Sequence, residues 1–331
     1  MSFPTATMSL CLIISNTADY HADAVVHRIR NVAGEAFFRL NTDRFHSDYR
    51  FHIDPLTPDF EIRNAVNGKR VAMDQITSVW WRRPGDLDFT HSDRPEPLRS
   101  LLESEYKGVL HGLIACIETT GARLVSHPLV IQRARDKVRQ QRAAKGVGFD
   151  LPPQRITNAC DKLLELEWKD DAIVKTLGSG SASSGALVTN SLLMTRPLTA
   201  KALAAIASGE LPMETHYFQK RLAPAYELRV TCFGDRCFPV RATGPHTERG
   251  DVDIRFDDAK SQTFTLEPDF PLADRCRAFL NYFGLEFGAF DLIRDAGRFY
   301  FLECNPNGQW LYTDFDGRFG MLNAFVEFLL R

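Results

Sequence analysis

Residues 283–310 read FGLEFGAFDLIRDAGRFYFLECNPNGQW, and the fold is decided here. Phe287 to Ile293 is apolar or alternating, Asp295-Ala296-Gly297 is turn chemistry, and Arg298 to Cys304 returns apolar and aromatic. The pattern predicts two strands joined by a tight turn. A buried strand face has no ordinary use for carboxylates, yet Asp291 falls mid-strand in the first and Glu303 near the end of the second. Side chains alternate along a strand, so Asn305 shares the face of Glu303. Two carboxylates and a carboxamide oxygen on one side of a hairpin suit a hard cation such as Mg²⁺, which takes oxygen ligands and keeps places for phosphate and water. The competing reading is a structural network in which Asp291 and Glu303 pair with nearby arginines.

The 331 residues suffice for two or three domains with cores of their own. A net charge of −2 excludes a globally basic nucleic-acid binder. The N-terminus has no basic segment before an apolar one, and no apolar run reaches the roughly 18 residues of a membrane span. No nucleic acid, no membrane and a cytoplasmic location are therefore expected. The seven cysteines form no C-x-x-C pair and mostly fall in apolar runs, which predicts buried free thiols in a reducing compartment.

Outward from the hairpin, the chain opens with an apolar strand at Leu10 to Ile14, a helix from Asp19 and a strand at Ala36 to Leu40. Strand, helix, strand is the start of a parallel α/β sheet. Further strands are predicted at Tyr49 to Ile53, Phe60 to Val66 and Ser78 to Arg83, then a long helix from Glu96 to Thr120. One helix is predicted from about Leu129 to Lys145. The buried strand Ala172 to Thr176 carries Lys175 at its end, and a Gly/Ser segment, Gly178 to Gly185, follows. Thr199 to Ser208 reads as a helix, Thr215 to Leu222 as a strand, and Tyr226 to Phe233 with Cys237 to Ala242 as a hairpin. Val252 to Phe256 reads as a short strand bearing Arg255. The last helix is predicted over Gly317 to Leu330.

A lysine ending a strand before a Gly/Ser loop has a chemical use. Lys175 can meet a phosphate as a point charge, and backbone N–H groups of the loop can wrap it. The segment is not a P-loop, because G-x-x-x-x-G-K-[ST] is absent and a strand is expected after it. Lys137 is, by spacing alone, one cation among several on its helix.

Asp on one strand and Glu-x-Asn on the next resemble the metal-binding end of the ATP-grasp fold. The longer FLECNPNGQW is similar to the C-terminal signature of the ATP-grasp ligases that mature graspetides, the microviridin-type ribosomal peptides. Asn41-Thr42-Asp43 and Trp80-Trp81-Arg82-Arg83-Pro84 resemble segments of the pre-ATP-grasp domain of the same ligases. The resemblance implies an α/β architecture: an α/β pre-ATP-grasp domain over 1–126, a central ATP-grasp lobe with a lid loop over 127–214, and a C-terminal lobe with the metal site over 215–331. It places Lys137 and Lys175 on the phosphates of ATP, Gln219, Lys220 and Leu222 in the strand that holds adenine, and Glu227 on the ribose. It makes Arg229, Arg241 and Arg255 the catalytic cations facing the cleft, and Asp291, Glu303 and Asn305 the Mg²⁺ ligands.

The implied activity is ATP-dependent closure of ω-ester or ω-amide rings. An Asp or Glu of a ribosomal precursor peptide is joined, through an acyl phosphate, to a Thr, Ser or Lys of the same peptide. The implied partner is that precursor, with a leader docking near Val188 to Ser208 through Leu192, Leu193, Met194, Leu198 and Arg196. Related ligases are often homodimers. Two other functions fit the sparser Asp…Glu-x-Asn pattern: a ligase joining amino acids or glutamate to small molecules or a protein tail, and a non-catalytic peptide-binding pseudoenzyme.

Overall fold

The computed structural model describes residues 10–57, 59–90, 93–178, 195–211, 216–223, 225–244 and 262–331. The chain divides into two compact units: Met1–Val130 with Gly284–Phe287 and Asp314–Arg331, and Ile131–Phe283 with Gly288–Thr313.

The first unit is built on β1 (Leu10–Ser15), β2 (Phe37–Asn41), β6 (Ile76–Trp81) and β7 (Arg123–Val125), a parallel sheet in the order β2-β1-β6-β7. Cys11 to Ile14 of the central strand are fully buried, as a continuous apolar run requires when both faces are covered. Helix α1 (Tyr20–Ala33) starts at Asp19, whose carboxylate accepts the backbone N–H groups of His21 and Ala22. A short α2 (Phe45–Asp48) leads to an antiparallel sheet of β3 (Tyr49–Asp54), β4 (Asp59–Asn64) and β5 (Arg70–Ala72). The long α3 covers Glu96–Glu118.

Two sequence motifs meet at the C-terminal ends of this parallel sheet. The Thr42 hydroxyl donates to the Gly85 carbonyl at 2.8 Å and accepts the Gly85 N–H at 2.7 Å. Asp43 accepts the Thr17 N–H at 3.0 Å, and Asn16 donates to the Arg83 carbonyl at 2.7 Å. Arg82, 1% exposed, pairs with Asp19 at 3.1 Å.

In the second unit the single helix expected over 129–145 is two. α4 (Pro128–Ala134) begins at the unit border, and α5 (Lys137–Gly146) starts afresh because the Asp136 carboxylate accepts the Arg139 N–H at 2.9 Å. The central sheet is antiparallel, β10-β9-β11-β8, from β8 (Gln154–Thr157), β9 (Ala172–Lys175), β10 (Arg196–Pro197) and β11 (His216–Lys220). Short α6 (Cys160–Leu164) and α7 (Ala200–Ala207) share one core with it, made by Leu163, Leu166, Ala172, Leu198, Leu203, Ile206 and Phe218. Sheet pairing thus joins His216–Lys220 to the strands that precede it.

The other sheet runs β14-β13-β12-β15-β16, from β12 (Tyr226–Phe233), β13 (Arg236–Thr243), β14 (Thr263–Leu266), β15 (Phe287–Asp295) and β16 (Arg298–Asn305). Helix α8 (Ala273–Phe283) buries Cys276, Phe279, Leu280 and Phe283 against it, and Phe279 lies 5.4 Å from both Phe290 and Phe301. Gly288 is needed here, since a Cβ would meet Leu280 at 2.6 Å and Cys304 Sγ at 2.9 Å. Cys232 and Cys237 stand directly opposite in the β12–β13 register and are joined by a disulfide, which corrects the expectation of free thiols throughout. The pairing comes from a hairpin turn between them, a spacing that a search for C-x-x-C does not catch. Cys11, Cys116, Cys160, Cys276 and Cys304 are free.

The last helix, α9 (Met321–Leu329), belongs to the first unit. It packs on α1 and β6, with the Trp80 and Phe325 rings 5.0 Å apart and the Ser78 hydroxyl donating to the Leu329 carbonyl at 2.6 Å. No helix among the described residues is long and apolar enough to cross a membrane.

Candidate functional site

The hairpin has the expected geometry, with one refinement. Asp291 pairs directly with Glu303 and Ala289 with Asn305, so Asp291, Glu303 and Asn305 share a face. The register shifts between Asp291 and Leu292, a bulge that sets this end of the ladder apart from the regular pairing beyond it. Asn305 Nδ2 donates to Asp291 Oδ2 and to Glu303 Oε1, each at 3.1 Å. About a third of each carboxylate side chain is open, 34% for Asp291 and 36% for Glu303.

Arg229, on β12, closes one side. Its Nη1 donates to Asp291 Oδ1 at 2.6 Å, and Nε and Nη2 donate to the Gln309 carbonyl at 3.1 and 2.6 Å. Gly308 makes room for it: a Cβ there would come 2.6 Å from the guanidinium and 2.7 Å from Ala289 Cβ. The structural-network reading therefore holds for Asp291. Asp291 has an arginine partner, and it still presents an open edge.

From the central sheet and α5 come the lysines. Lys137 Nζ donates to the Thr176 carbonyl at 2.8 Å and lies 3.7 Å from Glu303 Oε2. The charge of Lys175 acts on both Asp291 and Glu303. Burial raises the Asp291 carboxyl against the pull of Arg229, and Glu303 beside it adds to the rise, so Asp291 stands above the usual carboxylate range. Burial also acts upward on Glu303, but Lys137, Lys175 and the Asn305 hydrogen bond outweigh it and hold that carboxyl below its usual range. Burial disfavours the Arg229 charge, and Asp291 with Tyr312 more than restores it.

Among the described residues no three His, Cys, Asp or Glu side chains gather into a metal cluster. A pair of carboxylates with a carboxamide is instead the kind of partial donor set that would suit a Mg²⁺ ion shared with phosphates and waters. The donors present fit that ion, and an amide turn at Asn305 would exchange N–H for the oxygen a cation needs. The fit for a nucleotide rests on the two ammonium groups near these carboxylates and on Gln219. That side chain is 1% exposed, and its Nε2 meets no hydrogen-bond partner among the described residues.

Lys220, on the same strand, is exposed, and Leu222 just beyond it is half-buried. Glu227 lies two residues before Arg229 on β12 and therefore on its face.

Arg241 is not brought to this cluster. It pairs with Leu228, whereas Arg229 pairs with Val240, so the two arginines lie on opposite faces of the sheet. Arg241 stacks on the Tyr226 ring at 4.1 Å. The expectation that both face one cleft fails on this two-residue alternation. Arg255, the strand read at Val252 to Phe256, most of the Gly/Ser lid segment and Leu192, Leu193 and Met194 lie outside the described residues. Of the residues read as leader contacts, Leu198 is buried in the central core, while the cation Arg196 is exposed.

The reading of the sequence missed Gly308, Gln140 and Gln141. Gly308 lay in plain view in the NPNGQW run, between two candidate ligands and a tryptophan. The glutamines carried no signal at all, since glutamine in an exposed-looking helix is ordinary.

Residues 10–125 match the family described as the MvdD pre-ATP grasp domain. No curated protein matches the chain. Among solved structures, the RiPP-associated ATP-grasp ligase of Chryseobacterium gregarium, in complex with ADP and a leader and core peptide, is similar with a TM-score of 0.80 at 20% identity, covering 98% of this chain and 96% of that one. The macrocyclase MdnC of Microcystis aeruginosa MRC, bound with precursor peptide MdnA, gives a TM-score of 0.78 at 20% identity over 98% and 99% of the two chains. The ATP-grasp ligase PsnB, complexed with a phosphomimetic variant of its minimal precursor, Mg and ADP, gives 0.72 at 18% identity over 97% and 98%. The fold is therefore ATP-grasp with an α/β pre-ATP-grasp domain ahead of it.

Proposed function

We propose that this chain is an ATP-dependent ligase of the graspetide type. It closes ω-ester or ω-amide rings between Asp or Glu and Thr, Ser or Lys side chains of a ribosomal precursor peptide. The observation that carries the reading is the cluster in which Asp291, Glu303 and Asn305 share one face within reach of Lys137. Support comes also from the ADP, Mg and precursor peptides that the similar structures contain.

ATP with Mg²⁺ supplies the phosphoryl group that activates a carboxylate, and neutralises its charge in transfer. The chain's own residues bind and orient. Asp291, Glu303 and Asn305 hold the metal. Arg229 fixes Asp291 rather than meeting substrate, because all three of its nitrogens are engaged, Nη1 on Asp291 and Nε and Nη2 on the Gln309 carbonyl. Lys137 and Lys175 hold the phosphates, Gln219, Lys220 and Leu222 line the adenine strand, and Glu227 takes the ribose. Arg255 is the cation for the acyl phosphate, a task that suits a planar guanidinium. Arg241, on the other face, acts on packing. No covalent enzyme intermediate is called for; positioning and electrostatics do the work.

The proposal keeps the division at 1–126, 127–214 and 215–331 as functional parts, with His216–Lys220 paired into the central sheet and Gly284–Phe287 and Asp314–Arg331 packed in the first unit, and keeps a cytoplasmic homodimer that binds its precursor through a leader. The test is coexpression with each short open reading frame found near the gene that is rich in Thr and Asp or Glu, followed by mass spectrometry. Ring closure removes one water per ring and leaves ADP and phosphate. Gain of an amino-acid mass on peptide, protein or small molecule instead would overturn it.

A further inference from the structure

β16 is the outermost strand of its sheet, and among the described residues its far side meets only an isolated bridge, in which the Phe301 N–H donates to the Asp150 carbonyl at 2.9 Å; no full strand pairs the backbone groups nearer the site. Adjacent residues of α5 meet them. Gln140 Nε2 donates to the Cys304 carbonyl at 2.8 Å, and Gln140 Oε1 accepts the Cys304 N–H at 2.8 Å. The same Nε2 donates to the Ala134 carbonyl at 2.6 Å, and Gln140 is 3% exposed. Gln141 Nε2 donates to the Leu302 carbonyl at 2.8 Å.

Cys304 is the residue between Glu303 and Asn305. Its N–H belongs to the peptide plane that follows Glu303, and its C=O to the plane that precedes Asn305. A carboxamide bonded to both acts as a short length of neighbouring strand and holds both planes at once. Strand pairing alone does this poorly here, because the β15–β16 register is shifted beside Asp291. Helix α5 also brings Lys137, three residues before Gln140, to Glu303.

We infer that Gln140 is a positioning residue for the metal site: by fixing the backbone between Glu303 and Asn305 it sets the separation of the side chains that take the cation. This rests on the assignment of those side chains as Mg²⁺ ligands. Partners that orient metal ligands typically cost about 10–100-fold in metal affinity when lost.

The test titrates Mg²⁺ calorimetrically into protein held with saturating ADP, beside thermal unfolding. Gln140→Met keeps length and loses the amide, and should raise the Mg²⁺ concentration at half-saturation by about tenfold or more. Ser78→Ala, which removes a buried hydrogen bond in the first unit, should lower the unfolding midpoint and leave the Mg²⁺ requirement at its wild-type value. Should Gln140→Met not fold, Gln140→Glu, which keeps an acceptor for the Cys304 N–H, is titrated with the same expectation. A wild-type Mg²⁺ requirement in a folded Gln140 variant, whatever its melting point, overturns the inference. If Glu303→Gln also leaves the Mg²⁺ dependence of ADP binding untouched, it is the metal assignment that falls.

Discussion

Among the described residues two arginine–aspartate pairs have a buried arginine, and they are built for different ends. Arg82 and Asp19, in the first unit, are 1% and 4% exposed, and Asp19 is fully engaged by Arg82, the Ser15 hydroxyl and the N–H groups of His21 and Ala22. Burial outweighs its partner there and lowers the Arg82 guanidinium to about 10. Arg229 and Asp291, in the second unit, are 10% and 34% exposed, and the surrounding acidic groups raise Arg229 rather than lower it. A closed pair ties strand ends together. An open pair keeps a carboxylate aimed and still able to take a further cation. Burial and charge pairing are the same forces in both, and what separates them is whether lone pairs are left over.

The sharpest way to break this contrast is at the open site. Glu303→Gln keeps volume and removes one ligand charge, so turnover should fall by about a thousandfold or more, given the several kcal/mol a bound metal lends a phosphoryl transition state. Circular dichroism should show an intact fold. An active variant at ordinary Mg²⁺ would place the metal elsewhere.

At the closed site the expected effect is on stability alone. Arg82→Met strands Asp19 in the interior and should cost about 3–5 kcal/mol of unfolding free energy by denaturant titration. The Mg²⁺ requirement of any enzyme still folded should not move. A changed Mg²⁺ requirement would mean that the two pairs are not separate devices.

Lys175→Met probes the cations facing the open carboxylates. A charge-assisted contact is worth about 1.5–3 kcal/mol, so ATP should bind about tenfold more weakly or worse. Unchanged calorimetric affinity in both Lys175→Met and Lys137→Met would reduce these lysines to surface charge.

The smallest effect is expected at Arg241. Its contact with Tyr226 is a cation–π stack worth about 0.5–1 kcal/mol, and Arg241→Lys keeps the charge, so stability should barely change and turnover should stay near wild type. A loss rivalling that of Glu303→Gln would return Arg241 to the chemistry.

Much of the architecture was legible because it is local. The apolar run of β1 announced a doubly covered strand, and Asp19 announced the helix after it. Asp136 was harder, since a capping aspartate inside a charged run looks like one more polar residue. β5 and β14 were not foreseen. They are strands of three and four residues, and pairing rather than pattern makes them. At the site, alternation along β16 correctly put Glu303 and Asn305 together. Across β12 and β13 the same alternation separates Arg229 from Arg241, but only once the register is known.

By itself, then, the sequence determined which residue types lie near one another on a single strand or turn: the carboxylates and carboxamide of the hairpin, and the lysine ending β9. These follow from periodicities of the backbone, which are the same in every protein. Only the tertiary structure decided which partners those residues meet. It set Arg229 on Asp291, Gln140 on Cys304, Lys137 on Glu303, and the final helix on the first strand's sheet. Each of these joins segments far apart in the chain, and no local pattern encodes a register between strands or the choice of one apolar face among several.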